Sequence, residues 1–240
     1  AYYDLMDGRF KIDPPPQLRR TKMQVNIWRS RSEFYEANKV KYKISPGVAG
    51  FFSSSDQSLN FYHDYQEPAI SDWVSLHECT HLLTYLIDPQ YVSQIWLNEA
   101  VADYFGSAVI SRDKKGKLQI TPGRLQTDRT LTVQEAIRSA TAVPLEKLFT
   151  ITKDDFEAFE YAHAWSFVYF LNNSSDKTRK AFDKFFKDIY TLGKGVEFGR
   201  ESDAERSSTM FGYKDLAVMG SRWQVDLKYT TSSDGSERFL

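Results

Sequence analysis

One cysteine stands in 240 residues. Cys79 alone can close no internal disulfide and build no thiolate metal cluster, so a metal ion held by this chain must take its ligands from histidines and carboxylates. Histidine is itself scarce, with four in the chain. Charge of one sign is lacking too. A formal net charge of −1, with no long block of either sign, argues against the basic face that nucleic-acid or membrane-surface binding requires. No run of about 18 consecutive apolar residues occurs, so nothing in the pattern spans a bilayer. The opening AYYDLMDGRF has neither an initiator Met nor a signal-peptide pattern. It reads as a processed or trimmed form, with a periplasmic or secreted location favoured.

What is present is a core. Hydrophobic residues make up 41% and aromatic residues 15%, enough to fold a chain of this length as one large domain or as two lobes sharing a cleft. The pattern predicts an α+β fold, with an α/β lobe over about 20–110 and a mostly helical lobe over about 131–228. KMQVNIWRS (22–30) alternates apolar and polar side chains and suits a half-buried strand. SRSEFYEANK (30–39) suits a short helix capped by Ser30 or Ser32. Residues 47–55 and 58–65 read as a hairpin turning at Asp56. Two helices are expected over 71–87 and 96–110, then a charged surface loop or small hairpin over 112–124. DPPPQ (13–17) reads as a stiff connector and the tail from about 230 as a polar end. Phe182, Phe185, Phe186 and Ile189 form an apolar helical stripe, and Trp96 and Trp165 are expected in the core.

The helix WVSLHECTHLLTYL (73–86) carries two of the four histidines. At about 100° per residue, His81 falls about 40° from His77 and Glu78 about 100° from it, so all three share one side. Leu76, Cys79, Leu82, Leu83 and Leu86 occupy the opposite face, which makes Cys79 a small buried residue and not a nucleophile. Two imidazoles one turn apart can hold a single Zn²⁺ at about 2.0–2.1 Å each, and a Glu beside the first can take a proton from water at the metal's open position. A spacing that would place a third histidine at 87 and a glycine at 84 finds Ile87 and Thr84 instead, which excludes a metzincin.

Eighteen residues beyond His81, Glu99 lies in a second helical pattern, IWLNEAVADYFGSAVI, with Asp103 one turn further along the same face. DPQY (88–91) supplies a turn that lets this helix fold back on the first. Glu99 then completes a site of two His and one Glu, and Asp103 is spaced to accept the free N–H of a ligating imidazole.

HECTH followed by WLNEAVADYF resembles the gluzincin group of zinc metallopeptidases, which includes thermolysin and a set of aminopeptidases. From about Lys22 to Leu171 the chain is similar to a bacterial family of predicted gluzincins that share the SRSEF-like helix start, the two metal motifs, a PLEKLF-like segment and a Y-A-x-x-W helix. The resemblance implies a zincin-like fold with zinc in the cleft between the lobes. It also implies that the strand before the metal helix, LNFYHDY, offers its backbone to an extended peptide. The aminopeptidases of the group grip a free amine with a G-x-M-E-N type segment. This chain has none, which favours an endopeptidase acting on a peptide or protein.

Peptide hydrolysis needs a donor for the developing oxyanion. Tyr161 and His163 are the candidates, about 200° apart on one helix, so only one can face the metal. Tyr161 matches the placement of the oxyanion tyrosine in the aminopeptidases and is preferred. His63, alone on its strand, is left out of the site. The expected activity is zinc-dependent peptide hydrolysis with Glu78 as general base. The alternative is a zinc-containing peptide-binding protein without turnover.

Overall fold

The computed structural model describes residues 7–13, 16, 23–89, 93–192 and 216–228. The tail beyond 230 and most of the DPPPQ connector lie outside the described residues. The alternating segment forms β1 (Gln24–Trp28), and α1 (Arg31–Asn38) follows it. Ser30 is the cap: its Oγ accepts the N–H of Glu33 at 3.2 Å.

The expected hairpin is β2 (Gly50–Ser53) and β3 (Ser58–Tyr62). At its turn the Asp56 carboxylate accepts from Lys41 Nζ at 2.8 Å and Tyr42 Oη at 2.6 Å. β3 is the central strand, parallel to β1 and antiparallel to β2. Side chains alternate across the pleat. On one face Phe34 of α1 packs against Trp28, Phe51 and Tyr62. Leu59 and Phe61 point the other way, into a cluster with Val74, Leu82 and Leu86.

Those three residues belong to α2 (Pro68–Ile87), which opens on a proline whose missing N–H costs nothing in the first turn. Leu76 and Leu83 of the same helix face the larger, helical cluster, and Cys79 packs against both. Burial pushes its thiol up to about 11, so it stays protonated.

α3 (Ile95–Gly106) runs antiparallel to α2, since His77 faces Asp103 while His81 faces Glu99. It ends four residues before the expected 110. The β-branched Val109 and Ile110 leave the helix to pair in β4 (Val109–Arg112) with β5 (Leu118–Thr121), so the charged excursion is a hairpin.

The remaining helices are α4 (Thr127–Arg138), α5 (Leu145–Thr150), α6 (Ala158–Asn173), α7 (Asp176–Leu192) and α8 (Leu216–Lys228). α6 is their hub, packed against α3, α4, α7 and α8, with Trp165, Phe167 and Val168 fully buried. Trp96 of α3 lies on Phe149, and the stripe of α7 is buried, with Phe186 stacked on Phe10. Each such side chain contributes about 1.5–3 kcal/mol on leaving water. The fold is α+β and mostly helical. Among the described residues no helix is long and apolar enough to cross a membrane.

Candidate metal centre

The close approach of α2 and α3 makes the site, and one glycine permits it. A Cβ on Gly106 would lie 3.2 Å from both the His77 Cβ and the Trp73 carbonyl oxygen. Glu99, Asp103 and Gly106 are spaced i, i+4, i+7 and so share the face of α3 that meets α2. Facing them are His77, His81 and Glu78.

Three donor atoms converge there. His77 Nε2 lies 3.1 Å from His81 Nε2 and 3.3 Å from Glu99 Oε2, and the third side of the triangle is 3.6 Å. Ligands at about 2.0–2.1 Å from a tetrahedral ion are separated by about 3.3 Å, so the three atoms fit one zinc-sized cation. Among the described residues this is the group of His, Cys, Asp and Glu side chains that can hold a metal ion.

The second ring nitrogen of His77 fixes its role. Nδ1 lies 3.0 Å from Asp103 Oδ1, and Asp103 is fully buried. The carboxylate accepts the Nδ1 proton, so Nε2 is the nitrogen that faces the donor triangle. Burial pulls the imidazole down, but the Asp103 and Glu99 carboxylates outweigh it and hold His77 up at about 10. Burial raises Glu99 as well, yet the two histidines hold it well below the usual carboxylate range. With both imidazoles neutral, as ligation requires, the ionised carboxylates of Glu78, Glu99 and Asp103 exceed the one nearby guanidinium by two charges, and a divalent ion would offset that surplus; without a metal, a protonated His77 offsets one of the two.

That guanidinium belongs to Arg129 of α4. Its Nη2 lies 2.7 Å from Asp103 Oδ2, and its Cζ sits 5.6 Å from the centre of the Tyr161 ring and 6.0 Å from that of Trp73. Neither Arg129 nor Gly106 was singled out by the sequence reading. Gly106 carries a signal there, because it continues the Glu99–Asp103 spacing. Arg129 carries none, because it reaches the site only after the hairpin insertion.

Glu78 is buried beside the donor triangle but belongs to the other wall. Its Oε2 accepts the backbone N–H of Phe52 at 2.8 Å, and burial raises its carboxyl above the ordinary value. Phe52 lies on β2, which corrects one expectation of the resemblance. β3, which takes in the LNFY of that segment, is paired on both sides over Ser58–Phe61 and has no backbone edge to offer there. β2 is the edge strand at the cleft. It can approach α2 because Gly50 has no side chain: a Cβ there would lie 2.5 Å from Val74 Cγ1.

Tyr161 and His163 part as their angular separation requires. Burial and the nearby Glu99 carboxylate raise the Tyr161 phenol strongly and keep it protonated, a donor. His163 is fully buried on another side of α6, with Nδ1 2.8 Å from the Phe159 carbonyl oxygen and its ring facing Trp223 of α8. It lies outside the donor group. His63 pairs edge-on with the Tyr65 ring and is likewise outside it.

A cavity of about 580 Å³ opens beside the group, lined by Val48, Gly50, His77, Glu78, Arg129 and Tyr161 among others. Compared with known protein families, curated proteins and solved structures, the chain shows no match.

Proposed function

We propose that the chain is a zincin-like, zinc-dependent peptidase of gluzincin type that cleaves within peptides. The observation that carries this reading is the triangle of His77, His81 and Glu99 donors with Glu78 at its side and Asp103 behind it. Zinc held by those three residues supplies a Lewis acid, which lowers the pKa of water towards about 7 and polarises a carbonyl.

The chain's own groups do the rest. Glu78 takes the proton of the attacking water and passes it to the leaving amine; burial, which raises its pKa, suits it to both halves of that exchange. Tyr161 donates its hydroxyl hydrogen to the carbonyl oxygen as negative charge develops there. Asp103 keeps His77 in the tautomer that ligates, and Arg129 holds the other carboxylate oxygen of Asp103. The outer edge of β2 aligns an extended substrate through backbone hydrogen bonds, which recognise peptides irrespective of most side chains.

Metal analysis joined to a peptide-library assay tests the reading. The expected result is one equivalent of zinc and cleavage at internal bonds that a chelator abolishes. Zinc at one equivalent with no cleavage of any peptide replaces the enzyme with a zinc-containing peptide binder.

A further inference from the structure

We propose that a second cavity, beyond Trp73 from the donor group, takes a large apolar side chain of the substrate two to four residues from the bond that is cut. The inference rests on the peptidase reading for the position of that bond. The cavity holds about 750 Å³, within the range of ligand pockets. It lies between the N-terminal half of α2, the end of α3, the base of β4 and the start of α4. Trp73, Asp128 and Arg129 line both this cavity and the one at the metal centre, so the two adjoin at those residues.

Its lining points to an apolar occupant. Ile70, Val109 and Ile110 all lie on its wall and are 44%, 46% and 50% exposed. Keeping three large aliphatic side chains in water at one place gives the fold nothing, and such clustering marks a binding surface. The charged groups on the wall are Asp72, Asp128, Arg124 and Arg129, two of each sign, so the cavity has no net charge with which to select a charged side chain. The β4–β5 hairpin supplies Val109 and Ile110. An insertion with little core of its own thereby acquires a task.

The distance follows from helix geometry. Trp73 precedes His77 by one turn and Ala69 by two, which places the cavity about 6–12 Å along α2 from the donor group. An extended peptide advances about 3.3 Å per residue, which gives the two to four residues stated. The direction is supported by β2. Phe52 of that strand meets Glu78, Gly50 meets Val74, and Val48 follows, so a peptide aligned on its edge is led towards the N-terminal half of α2.

Dye-labelled blocked octapeptides test this, each of serine and alanine with a single leucine moved one position at a time. Binding is read by fluorescence anisotropy in the zinc-loaded Glu78→Gln protein, so that nothing is consumed, and cleavage sites are read by mass spectrometry in the unsubstituted protein. Leucine at one position is expected to tighten binding about tenfold or more, as burial of one such side chain implies. The bond cut lies two to four residues from it. Ala69→Trp, at an exposed wall position, crowds the cavity and is expected to remove the preference while leaving affinity for the leucine-free peptide and metal content unchanged. Ile110→Asp removes it independently, so a folding failure of one variant does not stop the test.

A leucine preference that survives both substitutions, or no preference at any position, overturns the inference. So does a wild-type dimer that both substitutions dissociate, because a second copy then covers this face. Leucine-dependent binding that both substitutions remove, without cleavage by the unsubstituted protein, upholds the pocket and refutes the peptidase reading. Cleavage indifferent to leucine does the reverse.

Discussion

The backbone N–H of Phe52 and the carboxylate of Glu78 meet at 2.8 Å, joining the outer edge of the sheet to the metal helix. One hydrogen bond thus sets the distance between the strand that can hold a peptide and the group that can take a proton from water.

Glu78→Gln follows from that contact. Glutamine keeps a carbonyl oxygen to accept from Phe52, so the fold and the donor triangle are expected to survive with one equivalent of zinc. The base is lost, and peptide hydrolysis is expected to fall by roughly 10²–10⁴-fold. Metal content and turnover measured on the same preparation check it. Activity within tenfold of the unsubstituted protein shows that the proton goes elsewhere.

Asp103 is fully buried between His77 and Arg129. Asp103→Asn keeps its shape but weakens the acceptor that fixes the His77 tautomer, and zinc affinity is expected to drop about 10–100-fold in a chelator competition. Arg129→Gln acts on the same carboxylate from the other side. It removes one of the two partners of a buried carboxylate and leaves His77, with an expected loss of about 1–3 kcal/mol in urea unfolding of the zinc-free protein. Equal stability of the two proteins places the Arg129 pair among those that contribute nothing.

The parts of the site that could be read from the sequence are those set within one helix or by two helices in succession. His77, Glu78 and His81 owe their common side to the helical period, and so do Glu99 and Asp103. Seven residues, 88–94, join the two helices, and of the DPQY expected to turn there Gln90 and Tyr91 lie outside the described residues. The choice between β2 and β3 as the cleft strand was not legible, because a hairpin's sequence does not say which of its strands a third strand will cover. β1 covers β3, although it precedes both by more than twenty residues in the chain. Arg129 was hidden for the same reason: a charged residue in TDRTLTVQEAIR reads as solvated surface until α4 docks on Asp103. The early end of α3 is a contest between helical periodicity and the β-pairing of Val109 and Ile110, whose sheet partners, Thr121 and Ile120, come only later in the chain.

Gly106→Ala tests the helix contact directly. The new Cβ meets backbone atoms of α2, the Trp73 carbonyl oxygen at 3.2 Å and the His77 nitrogen at 3.3 Å, and a helix backbone cannot rotate away. Either the helices separate or the strain remains, at about 1–3 kcal/mol. Separation moves Glu99 relative to His77 and His81, so zinc affinity is expected to fall together with the melting temperature. A variant that melts lower but binds zinc as before absorbs the strain outside the donor triangle.

His163 links stability to pH without touching the metal. The ring is fully buried, donates Nδ1–H to the Phe159 carbonyl, and leaves Nε2 with no hydrogen-bond partner among the described residues. Burial lowers its pKa, although the Phe159 carbonyl and Glu160 pull the other way. The sign follows from linkage. The unfolded chain takes up a proton at about 6.5 and the folded protein only at lower pH, so acidification through that window favours unfolding. His163→Leu, close in volume and unable to ionise, removes this sensitivity and is expected to change stability at neutral pH by less than about 1.5 kcal/mol. Urea unfolding of the zinc-free proteins at pH 7.5 and 5 compares them. The unsubstituted protein should lose more stability than the variant over that interval, and equal losses mean that His163 takes up its proton in the folded state as readily as in the unfolded chain.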